Sequence, residues 1–168
     1  HTVTDVHDDS IARVMAEWAD IRPDLDVGPI GVLARMARIR AIVEAEQARV
    51  FAAGGITAAD FPVLVTLSRR GRTTHTQLAD DLGLTAGTVT VRVDRLQTRG
   101  LVAREVDAAD ARVRWVSLTQ AGQELVDDLI PRHLAVEQEL LSGLKPRQRE
   151  RLAAELSVLL ADLEARYG

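Results

Sequence analysis

The feature that most constrains this chain is a pair of capped helix starts in its middle, followed at once by a change of hydrophobic period. Thr74-His75-Thr76-Gln77 places a threonine N-cap three residues before a glutamine. Each side chain in such a box satisfies a backbone amide left open by the helix start. The spacing predicts a helix from Thr74 to about Leu82, stopped by Gly83. Thr85 offers a second N-cap, and Val89, Val93 and Leu96 form the inward stripe of a second helix, ended by Gly100. Past Gly100 the pattern becomes strand-like: 101–106 and 113–118 read as two strands, and the polar link 107–112 closes them into a hairpin.

Two helices joined by a three-residue turn containing glycine make a helix-turn-helix, and the added hairpin makes it winged. Ahead of this region, Phe61, Leu64, Val65 and Leu67 predict a helix from Thr57 to Arg69, closed at Arg70-Gly71. Val32, Met36, Ile39, Val43 and Val50 recur at helical spacing behind Pro29 and predict a long helix ending at Gly54-Gly55. A short amphipathic helix over 8–20, around Ile11, Val14, Met15 and Trp18, precedes it. Leucines from Leu125 to Leu163 predict long helices over 120–168, interrupted at Lys145-Pro146. The expected fold is therefore mainly α: one domain over 1–168, with a winged helix-turn-helix at 57–119. The flanking helices at 24–55 and 120–168 expose more apolar stripe than one slim subunit can bury, so they are read as dimerisation helices. The alternative is a monomeric bundle that folds its ends together.

The 168 residues can bury one substantial core. No apolar run approaches a membrane span, and the first residues are too polar and acidic for a signal peptide, so a soluble, cytoplasmic protein is expected. With no cysteine, disulfides, thiolate metal sites and thiol nucleophiles are excluded. An enzyme is disfavoured: His7, His75 and His133 lack metal spacing, and there is neither a glycine-rich phosphate loop nor a serine nucleophile elbow. No metal or cofactor is expected.

A net charge of −4 argues at first against a nucleic-acid partner. Its distribution points the other way. From Arg69 to Arg114 there are nine arginines against six acids, a balance of +3 that leaves −7 for the remainder. A basic reading head on an acidic scaffold suits double-stranded DNA and opposes indiscriminate binding. The second helix of the motif would enter the major groove, exposing Gly87, Thr88, Thr90 and Val91 to base edges. Thr74 joins the DNA-facing set, and Thr85 with its neighbouring amides would accept phosphate at the helix N-terminus. Arg95 would pair with a backbone phosphate, and Arg112 at the wing tip would probe a minor groove, steadied by Asp110 on the same strand face.

The order Gln77-Leu78-Ala79-Asp80-Asp81-Leu82-Gly83-Leu84, Thr88-Val89-Thr90, Arg95-Leu96, Arg99-Gly100-Leu101-Val102, Asp110-Ala111-Arg112 and Leu118-Thr119-Gln120-Ala121-Gly122 resembles the MarR family of transcription regulators. Similarity extends over nearly the whole chain. The resemblance implies a two-fold homodimer on palindromic operators, and usually repression relieved by a small ligand. Ala109 stands where the family often has another arginine, which implies fewer phosphate contacts and a shallower salt dependence.

Trp18, Arg92 and Arg104 resemble the effector-binding tryptophan and arginines of the subgroup that answers to urate or to aconitate and related acids. Two guanidinium forks can hold a carboxylate while an indole supplies a flat wall. Pro62 stands where the urate-binding pattern has an aspartate, which turns the expectation from urate towards a polycarboxylate. The alternative is a winged-helix dimer that serves as a protein-interaction or scaffold module without an effector; it calls for apolar patches on the wing and on the second helix of the motif.

Overall fold

A computed structural model describes residues 9–168. His7 and the expected helix start at residue 8 lie outside the described residues. The elements run α1 (Ser10–Ile21), α2 (Gly28–Ala53), α3 (Phe61–Arg70), β1 (Thr73–Thr74), α4 (His75–Leu82), α5 (Ala86–Thr98), β2 (Val102–Val106), β3 (Arg114–Leu118), α6 (Gln120–Leu140) and α7 (Pro146–Tyr167). By contact the chain divides into two compact units, the first ending at Glu46 and the second spanning Gln47–Gly168.

In the first unit Asp9 caps α1, its Oδ1 accepting the amides of Ile11 and Ala12 at 2.9 and 2.8 Å. Arg35 on α2 reaches the same carboxylate, Nε to Oδ2 at 2.8 Å. This fork ties the start of α1 to the long helix.

The second unit holds a core built on Val63, Leu64 and Leu67 of α3, Leu78 of α4, Val89, Val93 and Leu96 of α5, Val116 of β3 and Val126 and Leu129 of α6, all at 0–1% exposure. The stripe expected for α5 is thus the buried one. Helix α4 carries the capping box as expected: Thr74 Oγ1 accepts the Gln77 amide and Gln77 Oε1 accepts the Thr74 amide, each at 3.2 Å.

Two boundaries differ from the sequence expectation. Helix α3 starts at Phe61 rather than at Thr57, because residues 57–60 form a turn in which Asp60 Oδ2 accepts both the amide and the hydroxyl of Thr57, at 3.0 and 2.8 Å. The wing is not a simple hairpin. Its sheet has three strands in the order β1-β3-β2, since Thr73 and Thr74 pair antiparallel with Val116 and Trp115 while Val102–Val106 pairs with Leu118–Arg114 from the other side. A two-residue strand carries no period of its own and exists only through its partner.

Helix α6 enters where the hairpin leaves. Thr119 caps it, with Oγ1 accepting the Gly122 amide at 3.0 Å and donating to Gly100 O at 2.6 Å. At Gly122 a Cβ would collide with the carbonyl of Leu101, so the close approach of α6 to the start of β2 requires glycine there.

Candidate nucleic-acid interface

The motif places α5 with one face in the core and its opposite N-terminal face in solvent. Thr85 caps the helix, its Oγ1 accepting the Thr88 amide at 3.2 Å and lying 2.9 Å from Thr88 Oγ1. Thr85, Gly87, Thr90 and Val91 are exposed and Thr88 is half-buried, so the set expected to face base edges shares one accessible surface. Thr90 Oγ1 donates to Ala86 O at 2.9 Å, a local bond that leaves the oxygen's acceptor capacity outward. Val91, 63% exposed, is the large apolar side chain of this face.

Arg112 sits in the turn of the wing, with Asp110 two residues before it. Contrary to expectation, the two are not on a strand, and Asp110 steadies backbone rather than side chain: its Oδ1 accepts the Arg112 amide at 2.9 Å. Short polar side chains satisfy turn amides in this way, and here that takes precedence over an ion pair. The wing owes more to two residues given no role from sequence. Asp107 Oδ1 accepts the amides of Ala109 and Asp110 at 2.8 and 3.0 Å, and Asp107 Oδ2 accepts Trp115 Nε1 at 2.8 Å. Arg72 lies over the Trp115 ring, 4.4 Å from its centroid. An aspartate followed by amides two and three residues on was the available signal for this turn.

Arg95, expected on phosphate, pairs with the buried Asp60 while its own side chain stays 43% exposed. Its Nε donates to Asp60 Oδ1 at 3.0 Å, and its Nη2 joins the same oxygen. Burial pushes the Asp60 carboxyl up, but Arg95 and the Thr57 amide and hydroxyl outweigh it and hold the group below the usual carboxylate range. A carboxylate 1% exposed needs a paired cation, and Arg95 supplies it. A contact 35 residues distant leaves no mark in local pattern.

The three residues assigned to an effector belong to both units. Trp18 lies on α1 in the first unit, 44% exposed. Arg92 and Arg104 belong to the second unit and meet α5 on opposite sides. Arg92 Nη1 donates to Ala59 O at 3.1 Å, whereas Arg104 pairs with Asp94 and donates through Nη2 to Thr90 O at 3.3 Å. Thr90 and Asp94 each lie two residues from Arg92, roughly 200° around a helix. His75 stands beside Arg104; burial, then Arg104, lowers its pKa, Asp94 opposes this and Arg114 adds to it. Among the described residues no group of three or more His, Asp or Glu could hold a metal ion.

This architecture is that of a winged helix-turn-helix protein, mostly helical with a small antiparallel sheet. Residues 54–113 match the model of the MarR family. The chain is 29% identical over 149 residues to the HTH-type transcriptional regulator PecS of Dickeya dadantii, covering 87% of this chain and 90% of that protein. AbsC, a MarR family transcriptional regulator from Streptomyces coelicolor, shares the fold with a TM-score of 0.75 at 22% identity over 84% of this chain and 97% of AbsC. The S. aureus MepR-DNA complex matches with a TM-score of 0.70 at 26% identity, over 77% of this chain and 96% of that one. PecS and AbsC are named transcriptional regulators.

Proposed function

We propose that the protein is a transcription regulator that binds double-stranded DNA as a homodimer, with α5 in the major groove and the wing at the flank. The observation that carries this reading is the division of α5 into a core face at 0% exposure and a small, hydroxylated N-terminal face in solvent, on the same fold as the DNA-bound MepR. Thr85, Gly87, Thr88, Thr90 and Val91 face the duplex, Thr74 and the α5 N-terminus meet phosphate, and Arg112, held at the tip by Asp110, meets a flanking groove. The scaffold alternative requires an apolar patch on α5 and the wing, and glycine, threonine and arginine occupy most of those places, with Val91 on α5 and Val106 on β2 the exposed large apolar side chains, one on each element. No helix among the described residues is long and apolar enough to cross a membrane, which suits work on operator DNA in the cytoplasm.

Dimerisation is supported by apolar side chains without cover. Helix α7 buries none of its residues, and Leu152, Leu156, Val158, Leu160, Leu163 and Tyr167 are 36–77% exposed. Val32, Leu33, Ile39 and Ile42 of α2 are 48–61% exposed. Such area is covered in a two-fold pair, which also spaces two α5 helices for a palindromic operator.

Repression is relieved, in this reading, by a small organic acid that Trp18, Arg92 and Arg104 recognise. An acid that gathers both guanidinium groups takes Arg92 from Ala59 O and Arg104 from Asp94, and those contacts set the pose of α5; its differential affinity then shifts the population away from the DNA-binding form. A mobility shift against the DNA upstream of the protein's own gene, repeated with citrate, aconitate and urate, tests both parts. Retarded DNA released by a polycarboxylate is the expected result; no retardation at low ionic strength contradicts the DNA reading, and retardation indifferent to all three acids contradicts the effector reading.

A further inference from the structure

Asp60 is the fully buried carboxylate among the described residues, at 1% exposure, and no apolar role explains an ionised group there. It is satisfied from two directions. The Thr57 amide and hydroxyl hold Oδ2 from within the turn, and Arg95 holds Oδ1 from α5 with Nε and Nη2. Arg95 does not act alone, because Arg92 and Arg95 on one face of α5 and Arg99 at its C-cap stand at i, i+3 and i+7. Arg92 donates to Ala59 O at 3.1 Å, and Arg99 lies against Gly55, where a Cβ would meet its Nη2 at 3.1 Å. One stripe of α5 is therefore fastened to the 55–60 connection that follows α2.

The division of labour is physical. Val89, Val93 and Leu96 fix how deeply α5 sits, but apolar contact is non-directional and tolerates small rotations about the helix axis. A two-point guanidinium hold on a buried carboxylate is directional and does not. Rotation is what would misdirect Thr88, Thr90 and Val91, which stand on the side of α5 away from the core.

We propose that Asp60 is a positioning residue for the recognition helix: through Arg95 it fixes the rotation of α5 and so the aim of the groove-facing side chains. The proposal rests on the DNA-binding reading above and replaces a direct phosphate role for Arg95.

The test uses the full chain and the tightest duplex that the wild type selects from a random pool, with affinity followed by fluorescence anisotropy over a range of salt and folding by circular dichroism. Asp60→Asn and Arg95→Gln should each weaken binding at least tenfold while still folded at the assay temperature. The double variant should be no weaker than the worse single one, and Arg95→Gln should keep the wild-type slope of log Kd against log salt. A phosphate contact predicts otherwise: Asp60→Asn would free Arg95 and bind as well as wild type or better, and Arg95→Gln would lower the slope by about one phosphate. Either result overturns the proposal, as does wild-type affinity in both variants beside lowered melting temperatures. Should both variants unfold, Arg95→Lys decides. It keeps the charge and loses the two-point hold, so intermediate affinity supports the proposal and wild-type affinity overturns it. A wild type that selects no duplex overturns the DNA-binding reading along with it; a binding wild type matched by Asp60→Asn overturns the positioning role alone.

Discussion

The indole Nε1 of Trp115 donates to Asp107 Oδ2 at 2.8 Å, joining the middle of the wing sheet to the first residue of its turn. That bond is the foremost reason the Asp107 carboxyl lies below its usual range, ahead of the Ala109 and Asp110 amides. Asp107→Ala should loosen the turn that carries Arg112. In a Trp18→Phe background Trp115 is the single tryptophan. Its emission should shift to the red and become more open to quenchers, and operator affinity should fall severalfold. An unchanged spectrum would show that the turn stands without this bond.

Gly122 touches the Leu101 carbonyl, and a methyl group there has nowhere to go, since the obstacle is backbone. Gly122→Ala should lower stability by about 1–3 kcal/mol through overpacking, despite alanine's better helix propensity. Thermal or denaturant unfolding measures it; a variant at or above wild-type stability would mean that α6 shifts freely on the sheet.

In the first unit the Asp9 carboxyl is held down to about 2, chiefly by its hydrogen bonds from Arg35 and then by the Ala12 amide. A carboxyl lowered on folding contributes stability that is present above its unfolded value, near 3.8, and lost as the pH falls towards 2. The Asp9 titration followed by carboxyl NMR should move up in Arg35→Gln. A midpoint still at about 2 would assign the shift to the helix cap alone.

How much of this was legible beforehand depended on whether a signal was local. The Thr74-Gln77 box, the Thr85 cap and the Val89-Val93-Leu96 stripe act within one helix, and the sequence reading placed all three correctly. Strand β1 was missed because Thr73 and Thr74 acquire strand character only from Trp115 and Val116. The pairings of Arg95 with Asp60 and of Arg104 with Asp94 join residues 35 and 10 positions apart, and residue types alone could not separate a guanidinium bound for phosphate from one claimed by a carboxylate. Asp110 was selected correctly as a wing residue, but its partner was the Arg112 amide rather than the Arg112 side chain.

Asp94, paired with Arg104, competes with an acid for its guanidinium. Arg104→Ala should abolish any response of DNA binding to citrate or aconitate yet spare DNA binding itself, while Asp94→Asn, which removes the competing carboxylate, should lower the acid concentration needed for release. Mobility shifts with graded acid measure both. An acid response unchanged by Arg104→Ala would remove this residue from the effector site.

In the proposed assembly two chains present paired α5 helices to one duplex. Sedimentation velocity of the protein with a fluorescent operator duplex reads this directly. A sharp boundary holding two chains per duplex is expected, lost when the half-sites are respaced from about 10 bp to about 15 bp between centres, half a helical turn further. Protein that sediments as a monomer in dilute solution, or duplex that never leaves its free position at low salt, would contradict it.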